Sequence, residues 1–253
     1  MCTMTWFLNQ DGYQLFFNRD EQITRSRALP PSIQEHRSAA GSLRYISPTD
    51  ADAGGTWIAT NELGITVCLL NHYQFQQIST YKNWTSRGEI VRQFSSFTDL
   101  VQAQKKFSRM GLDDYRAFRM FMIEPSGANR LLVWDGHSAR VEKDVSAPKS
   151  SSAVDAQHVK SLRKQLFVDM QLSNSKDPQA YIDYHTSHSP SKSKESVCMH
   201  RADAQTVSLC HVSVDATAVV YRYADGSPCE VEFSSPLRMP LGHLESAMRI
   251  AAL

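Results

Sequence analysis

The second residue of the chain is a cysteine, at the head of the stretch MCTMTWFLNQDGYQLFFNRDEQ. Removal of the initiator methionine would leave Cys2 carrying a thiol and a free α-amine together. A model thiol titrates near about 8.5 and an α-amine near about 7.7 to 8.0, so the amine is suited to take the thiol proton, directly or through water. The resulting thiolate is a nucleophile for acyl transfer. The plainer reading of Cys2 is a small residue that starts a strand. A second group of reactive types lies late in the chain, with His185 and His188 in YHTSHSP and Cys198 and His200 in VCMHR. A structural metal needs four such ligands converging as a tetrahedron. His-x-x-His followed by Cys-x-His is not a common zinc spacing, so no metal is expected here. The same residue types, and His72 with Tyr73, could also ligate a haem iron, since His, Cys, Met and Tyr all serve there. For each of them the alternative is ordinary hydrogen bonding on a strand or at the surface.

Composition narrows the field. The chain has 253 residues, 27 Lys plus Arg against 26 Asp plus Glu, and a formal charge of +1. Such a balance supplies no long-range field toward nucleic acid or an acidic membrane, so nucleic acid is not an expected partner. The length is ample for a full hydrophobic core without metal or disulfide staples. Five cysteines, odd in number and without paired spacing, read as reduced thiols of a cytoplasmic protein. The N-terminus lacks a basic and then apolar leader, and no run reaches the ~18 apolar residues of a membrane span. GGTW has neither the spacing nor the following helix of a phosphate loop, which disfavours a nucleotide enzyme.

The elements that would position Cys2 are hairpins. CTMTWFL and YQLFFN are strand-like runs separated by the turn signal NQDG, and TWIATNELGITVCLLNHY holds a second pair broken at NELG. Polar, proline-containing sequence from about Thr24 to Ala53 reads as loop. A helix is expected from roughly Thr98 to Met110, where Phe97, Leu100, Val101, Phe107 and Met110 fall near helical spacing before Gly111. AFRMFMIEP and RLLVWDG form another hairpin around SGAN. Val159, Leu162, Leu166 and Met170 draw one stripe of a second helix between about Asp155 and Met170. The Ser-, Lys-, Asp- and Pro-rich segment from Ser173 to Ser196 reads as an exposed loop. TVSLCHVSV, AVVYRYA and CEVEFS follow as strands, with ADGSP as the turn between the last two. Hairpins rather than βαβ crossovers predict an α+β protein on antiparallel sheets, and no linker is long enough to demand two domains.

At FFNRDEQ the chain resembles a known family. Asn18-Arg19-Asp20-Glu21 is similar to the signature of the NRDE family, also called the transport and Golgi organisation protein 2 family. The Met-Cys start, GGTW at Gly54 to Trp57, NELGITVCLLNHY from Asn61 to Tyr73 and SVCMHRADAQTVS from Ser196 to Ser208 agree with its pattern in the same order. Members resemble N-terminal nucleophile hydrolases, which implies a four-layer αββα sandwich for the whole chain. The nearest analogy is to cysteine-type bile-salt hydrolases and penicillin V acylases. By that resemblance Cys2 matches the nucleophile, Asp20 the acid beside its amine, Arg19 the group supporting both and Asn71 an oxyanion-hole donor. Arg201 matches the late active-site arginine, and the offset between Arg19 and Asp20 is shorter than in the hydrolases. Asn71 would then stabilise the tetrahedral oxyanion of an attacked amide.

The family also implies intracellular handling of haem and of lipids or acyl-CoA. The leading expectation is therefore a ligand-handling protein on a hydrolase scaffold, with haem as cargo, Arg19 and Arg201 toward its propionates, and His72, Tyr73 or His200 as an axial ligand. A Cys2-dependent amide hydrolase is the alternative, and acyl-CoA binding a third.

Overall fold

A computed structural model of the chain describes residues 2–38, 41–73 and 83–242. Strand β1 (Cys2–Asn9) turns at Gln10–Asp11 into β2 (Gly12–Gln22), pairing antiparallel with Cys2 opposite Arg19. These join β10 (Lys149–Ser151), β11 (Ala204–Val214), β12 (Ala218–Ala224) and β13 (Leu237–Pro240) in a six-stranded sheet ordered β10-β1-β2-β11-β12-β13. A Cβ on Gly12 would fall 2.2 Å from the Val214 carbonyl oxygen, so only glycine lets β11 run this close to the turn.

The second sheet has seven strands in sequence order: β3 (Leu29–Ser38), β4 (Gly41–Thr49), β5 (Ile58–Asn61), β6 (Thr66–Asn71), β7 (Phe118–Ile123), β8 (Asn129–Trp134) and β9 (Ala139–Lys143). Every pairing in it is antiparallel. The strand period of two sends alternate side chains to different layers. Met4, Trp6, Leu15 and Phe17 face Ile58, Cys68, Leu70 and Phe121 between the sheets. Trp6 and Phe121 meet with centroids 4.3 Å apart. Neighbouring residues go outward: Phe7 and Phe16 meet α3 (Ala156–Asp169) and α4 (Pro178–Thr186), and Val67 and Leu69 meet α1 (Arg87–Phe94) and α2 (Leu100–Phe107). Both faces of each sheet are covered, so the central strands read as continuous apolar runs rather than as alternation. The result is the expected αββα sandwich. No helix among the described residues is long and apolar enough to cross a membrane.

Several elements differ from the sequence expectation. The loop expected from Thr24 to Ala53 contains β3 and β4. β3 is a largely exposed edge strand and β4 beside it is buried only over residues 45–48, so the pair carries little apolar signal, and the register shift between Leu29 and Ser32 accommodates Pro30 and Pro31. Within the expected loop from Ser173 to Ser196 lies α4, started by Pro178 at its first turn and by Asp177, which accepts from the Gln179 N–H at 3.0 Å. Its Tyr181, Tyr184 and His185 are buried, a stripe that the polar flanks obscured. CEVEFS is a turn followed by irregular chain, and β13 takes the place beside β12 instead. The two expected helices are present, as α2 capped by Asp99 and as α3; α1 had no counterpart in the reading.

Candidate functional site

The NQDG hairpin places Cys2 directly across from Arg19, and both line a cleft at this end of the sandwich. The Cys2 backbone nitrogen lies 2.9 Å from Ser151 Oγ on β10, the other neighbour of β1. Burial raises the pKa of the Cys2 thiol, against the positive charge of the N-terminus; the carboxylates of Asp20 and Glu21 raise it further, and a hydrogen bond from the Asp20 backbone lowers it. The neutral thiol is therefore the resting form. Arg19 does not oppose this freely, because its guanidinium is bound to Asp50 at 2.7 Å and to Glu21 at 3.3 Å, with its flat face 4.1 Å over Trp57. Arg25 shares the same Asp50 at 2.6 Å.

Asp20 is one residue on from Arg19, so its side chain takes the opposite face of β2. There Thr206 Oγ1 donates to it at 2.6 Å and Arg163 of α3 stands 3.6 Å away, both members of the ion pair being buried. The pairing of β2 with β11 slips between Thr206 and Ser208, directly opposite Asp20 and Arg19. Such a bulge re-aims the side chains beside it, here bringing Thr206 onto Asp20. Arg163 also donates to Thr3 Oγ1 at 2.6 Å and to the carbonyls of Glu195 and Lys194, tying α3 to the hairpin and to the chain before β11.

The cleft holds about 560 Å³. Its walls include Trp57, Asn71, Trp84, Arg87 and Arg116. GGTW shapes one wall: Gly55 touches Gly88 backbone to backbone, a Cβ on Gly55 falling 2.7 Å from the Gly88 carbonyl carbon. Thr56 N–H donates to the Gly88 carbonyl at 3.2 Å, which fixes α1 against the cleft. Asn71, the last residue of β6, donates its amide to the Tyr73 hydroxyl at 2.8 Å. Arg87 donates to the Ala117 carbonyl at 3.0 Å, and Arg116 lies 5.8 Å from the Trp84 ring centre. The sequence reading missed both arginines; their only signal was a basic residue at the head of the unrecognised α1 and another shortly before β7.

Cys2, Arg19 and Asn71 thus gather here, with Tyr73 joined through the Asn71 amide; Asp20 also borders the cleft, but its carboxylate lies on the other face of β2 with Thr206 and Arg163. The others are placed elsewhere. Arg201 pairs with Asp203 at 2.6 Å and does not line the cleft. Burial, with Arg119 and Lys160 nearby, lowers the pKa of His72 to about 4, and it is not among the lining residues. His185 is in the core, its Nε2 at 2.8 Å from Thr5 Oγ1. His188, Cys198 and His200 meet Cys229, from the turn after β12, with all four ligand atoms within 4.8 Å of one another. The convergence that their spacing argued against is therefore present, and its fourth member lay outside the span considered.

Antiparallel sheets stacked face to face between helix layers are the fold of N-terminal nucleophile hydrolases. The structure is similar to a mutant conjugated bile acid hydrolase from Clostridium perfringens, with a TM-score of 0.60 at 10% identity over 95% of this chain and 92% of that one. It is also similar to an N-acylethanolamine-hydrolyzing acid amidase orthologue from Caenorhabditis elegans (TM-score 0.55, 11% identity, 83% of this chain and 92% of that one). A penicillin V acylase from Agrobacterium tumefaciens gives a TM-score of 0.51 at 10% identity over 88% and 83% of the two chains. Identities this low define the fold and not the reaction. The chain belongs to the Transport and Golgi organisation 2 family, whose model matches residues 1–220. No curated protein matches it.

Proposed function

We propose that the chain handles haem, carrying it in the Cys2 cleft. The observation that carries this reading is the cleft wall: the Trp84 indole stands beside Arg87 and Arg116, for which no carboxylate partner is found among the described residues, while the Trp57 ring is covered by the Arg19 guanidinium. An aromatic wall with cations beside it suits a planar amphipath bearing carboxylates, and the volume lies within the range of small-molecule sites. Family membership supports the same class of ligand. Arg87 and Arg116 take the propionate role expected of Arg19 and Arg201, which are held by acidic neighbours. Cys2 contributes the sulfur among the lining residues, and a thiol kept protonated by burial makes a weak iron ligand, as a cargo that must be released requires. Ferric haem added to the purified chain is expected to give a saturable Soret shift at about one equivalent, displaced by acyl-CoA if the cleft takes both. Arg87→Gln with Arg116→Gln is expected to weaken binding about tenfold or more, the loss of roughly 1.4 kcal/mol. No saturable shift, or equal affinity in the double variant, overturns the proposal.

A second reading, a Cys2 amide hydrolase, is favoured by one contact. The Cys2 backbone nitrogen beside Ser151 Oγ becomes the α-amine if Met1 is removed, next to the thiol it would deprotonate. The thiolate would add to the amide carbon, Asn71 would donate to the oxyanion, and the proton would pass to the departing amine, leaving an acyl-thioester for water to cleave. This reading predicts loss of Met1 by intact mass and labelling of Cys2 by an acylating probe, absent in Cys2→Ala. An intact Met1 on hydrolytically active protein rules it out.

A further inference from the structure

We propose that His188, Cys198, His200 and Cys229 form a zinc site, separate from the Cys2 cleft. Three segments converge to build it. His188 comes just after α4, Cys198 and His200 from the chain leading into β11, and Cys229 from the turn after β12. His200 Nε2 lies 3.2 Å from His188 Nε2, 3.5 Å from Cys198 Sγ and 3.4 Å from Cys229 Sγ. A tetrahedral zinc with bonds of about 2.0 Å to nitrogen and about 2.3 Å to sulfur separates its ligands by roughly 3.3 Å for two nitrogens and roughly 3.5 Å for nitrogen and sulfur. The three edges at His200 match those lengths, and the remaining pairs lie within 4.8 Å, close enough for the ligands to draw in around an ion. Two imidazoles contacting each other through Nε2 have only one hydrogen bond to share between them, whereas a cation at the centre uses all four lone pairs.

The donor set selects the ion. Two thiolates and two imidazoles favour zinc over magnesium or calcium, which prefer oxygen. Binding would displace the two thiol protons to solvent, leaving a neutral four-ligand centre with no open position, the pattern of a structural rather than a catalytic zinc. Its place in the fold gives it a consequence. Met199, between two of the ligands, donates its N–H to Thr206 Oγ1 at 2.8 Å, and that hydroxyl donates to Asp20 at 2.6 Å. The Cys198 N–H reaches the Ser187 carbonyl at 3.0 Å and the His200 N–H reaches Ser193 at 3.1 Å. An ion here would therefore lock the chain that backs Asp20 to α4 on one side and to the end of β12 on the other.

The test uses the untagged full chain, expressed with zinc and purified without chelator. Elemental analysis is expected to find about one zinc per chain, falling to under about a tenth in Cys229→Ser and in His188→Ala, and unchanged in the exposed His137→Ala. Because a ligand variant could also misfold, the wild-type chain is stripped, reduced and titrated with cobalt. It is expected to show saturating tetrahedral d–d bands with a thiolate charge-transfer band. Absence of that spectrum in the folded, reduced chain overturns the proposal, as does zinc retained by both variants. A Cys198–Cys229 disulfide that forms in air and, once reduced, gives no cobalt spectrum would assign the pair to redox chemistry instead.

Discussion

Arg163→Met is expected to lower the unfolding temperature by roughly 10 °C, the equivalent of about 3–5 kcal/mol in a chain this size. Arg163 is 1% exposed, and its guanidinium serves Thr3 on β1, Asp20 on β2 and two carbonyls ahead of β11. A methionine fills much of the same volume but gives up every one of those donors. It also removes the positive charge 3.6 Å from the buried Asp20 carboxylate. Loss of one partner from a buried pair costs more than the pair itself contributes, because the remaining charge stays desolvated. The decisive measurement is therefore a cycle. Asp20→Asn in the Arg163→Met background is expected to recover about 1–3 kcal/mol relative to the sum of the single effects. Strict additivity in thermal or urea unfolding would show that the ion pair contributes nothing and that Arg163 acts only through Thr3 and the two carbonyls.

The same residue marks the limit of what the sequence could show. The hairpin at NQDG fixes its own register, so the approach of Cys2 to Arg19 follows from counting back through a two-residue turn. NELG and SGAN likewise make β5–β6 and β7–β8 legible, and through them the place of Asn71 at a strand end. The sandwich itself is not legible this way; strands buried on both faces carry no alternation, and the four-layer arrangement came through the resemblance. Partners distant in sequence leave no local trace at all. Arg163 meets Thr3 across 160 positions and Cys229 meets His200 across 29, so neither the support of Asp20 nor the fourth member of the His/Cys cluster had a spacing to read. Composition also misled at the periphery: Ser and Lys around PQAYIDYHT hid α4, and the polar edge strand β3 with its neighbour β4 looked like loop. Arg87 and Arg116 escaped because distant segments bring them to the cleft: Arg87 through the contact of Gly55 with Gly88, Arg116 through its approach to Trp84.

Stability should fall steeply on acidification below about pH 6.5, through two histidines that the hydrolase comparison never uses. His185 and His211 sandwich Phe16, with ring centres 5.9 and 4.3 Å from it, and both are almost fully buried. Burial, then the charge of Arg163, lowers the pKa of His185 to about 3; burial, then Arg222, lowers that of His211 to about 3. Gln14 Oε1 lies 2.7 Å from His211 Nε2 and so fixes a proton on that nitrogen, while the buried Nδ1 of each ring has no hydrogen-bond partner among the described residues for the second proton of a charged ring. The sign follows from the direction of the shifts. Above about pH 6.5 both rings are neutral folded and unfolded, and the full stability is present. As the pH drops below that value the unfolded chain takes up protons that the folded chain refuses until near 3, so stability is lost at about 1.4 kcal/mol per pH unit for each ring. Over roughly two units the pair accounts for about 5 kcal/mol. Urea unfolding at about pH 7.5 and about pH 4.5 measures it, and His185→Gln with His211→Gln is expected to flatten the difference by most of that amount even if the variant starts less stable. An unchanged slope in the double variant would transfer the acid sensitivity to His72, whose pKa burial also lowers, and to the carboxylates, and leave these two rings as ordinary core packing.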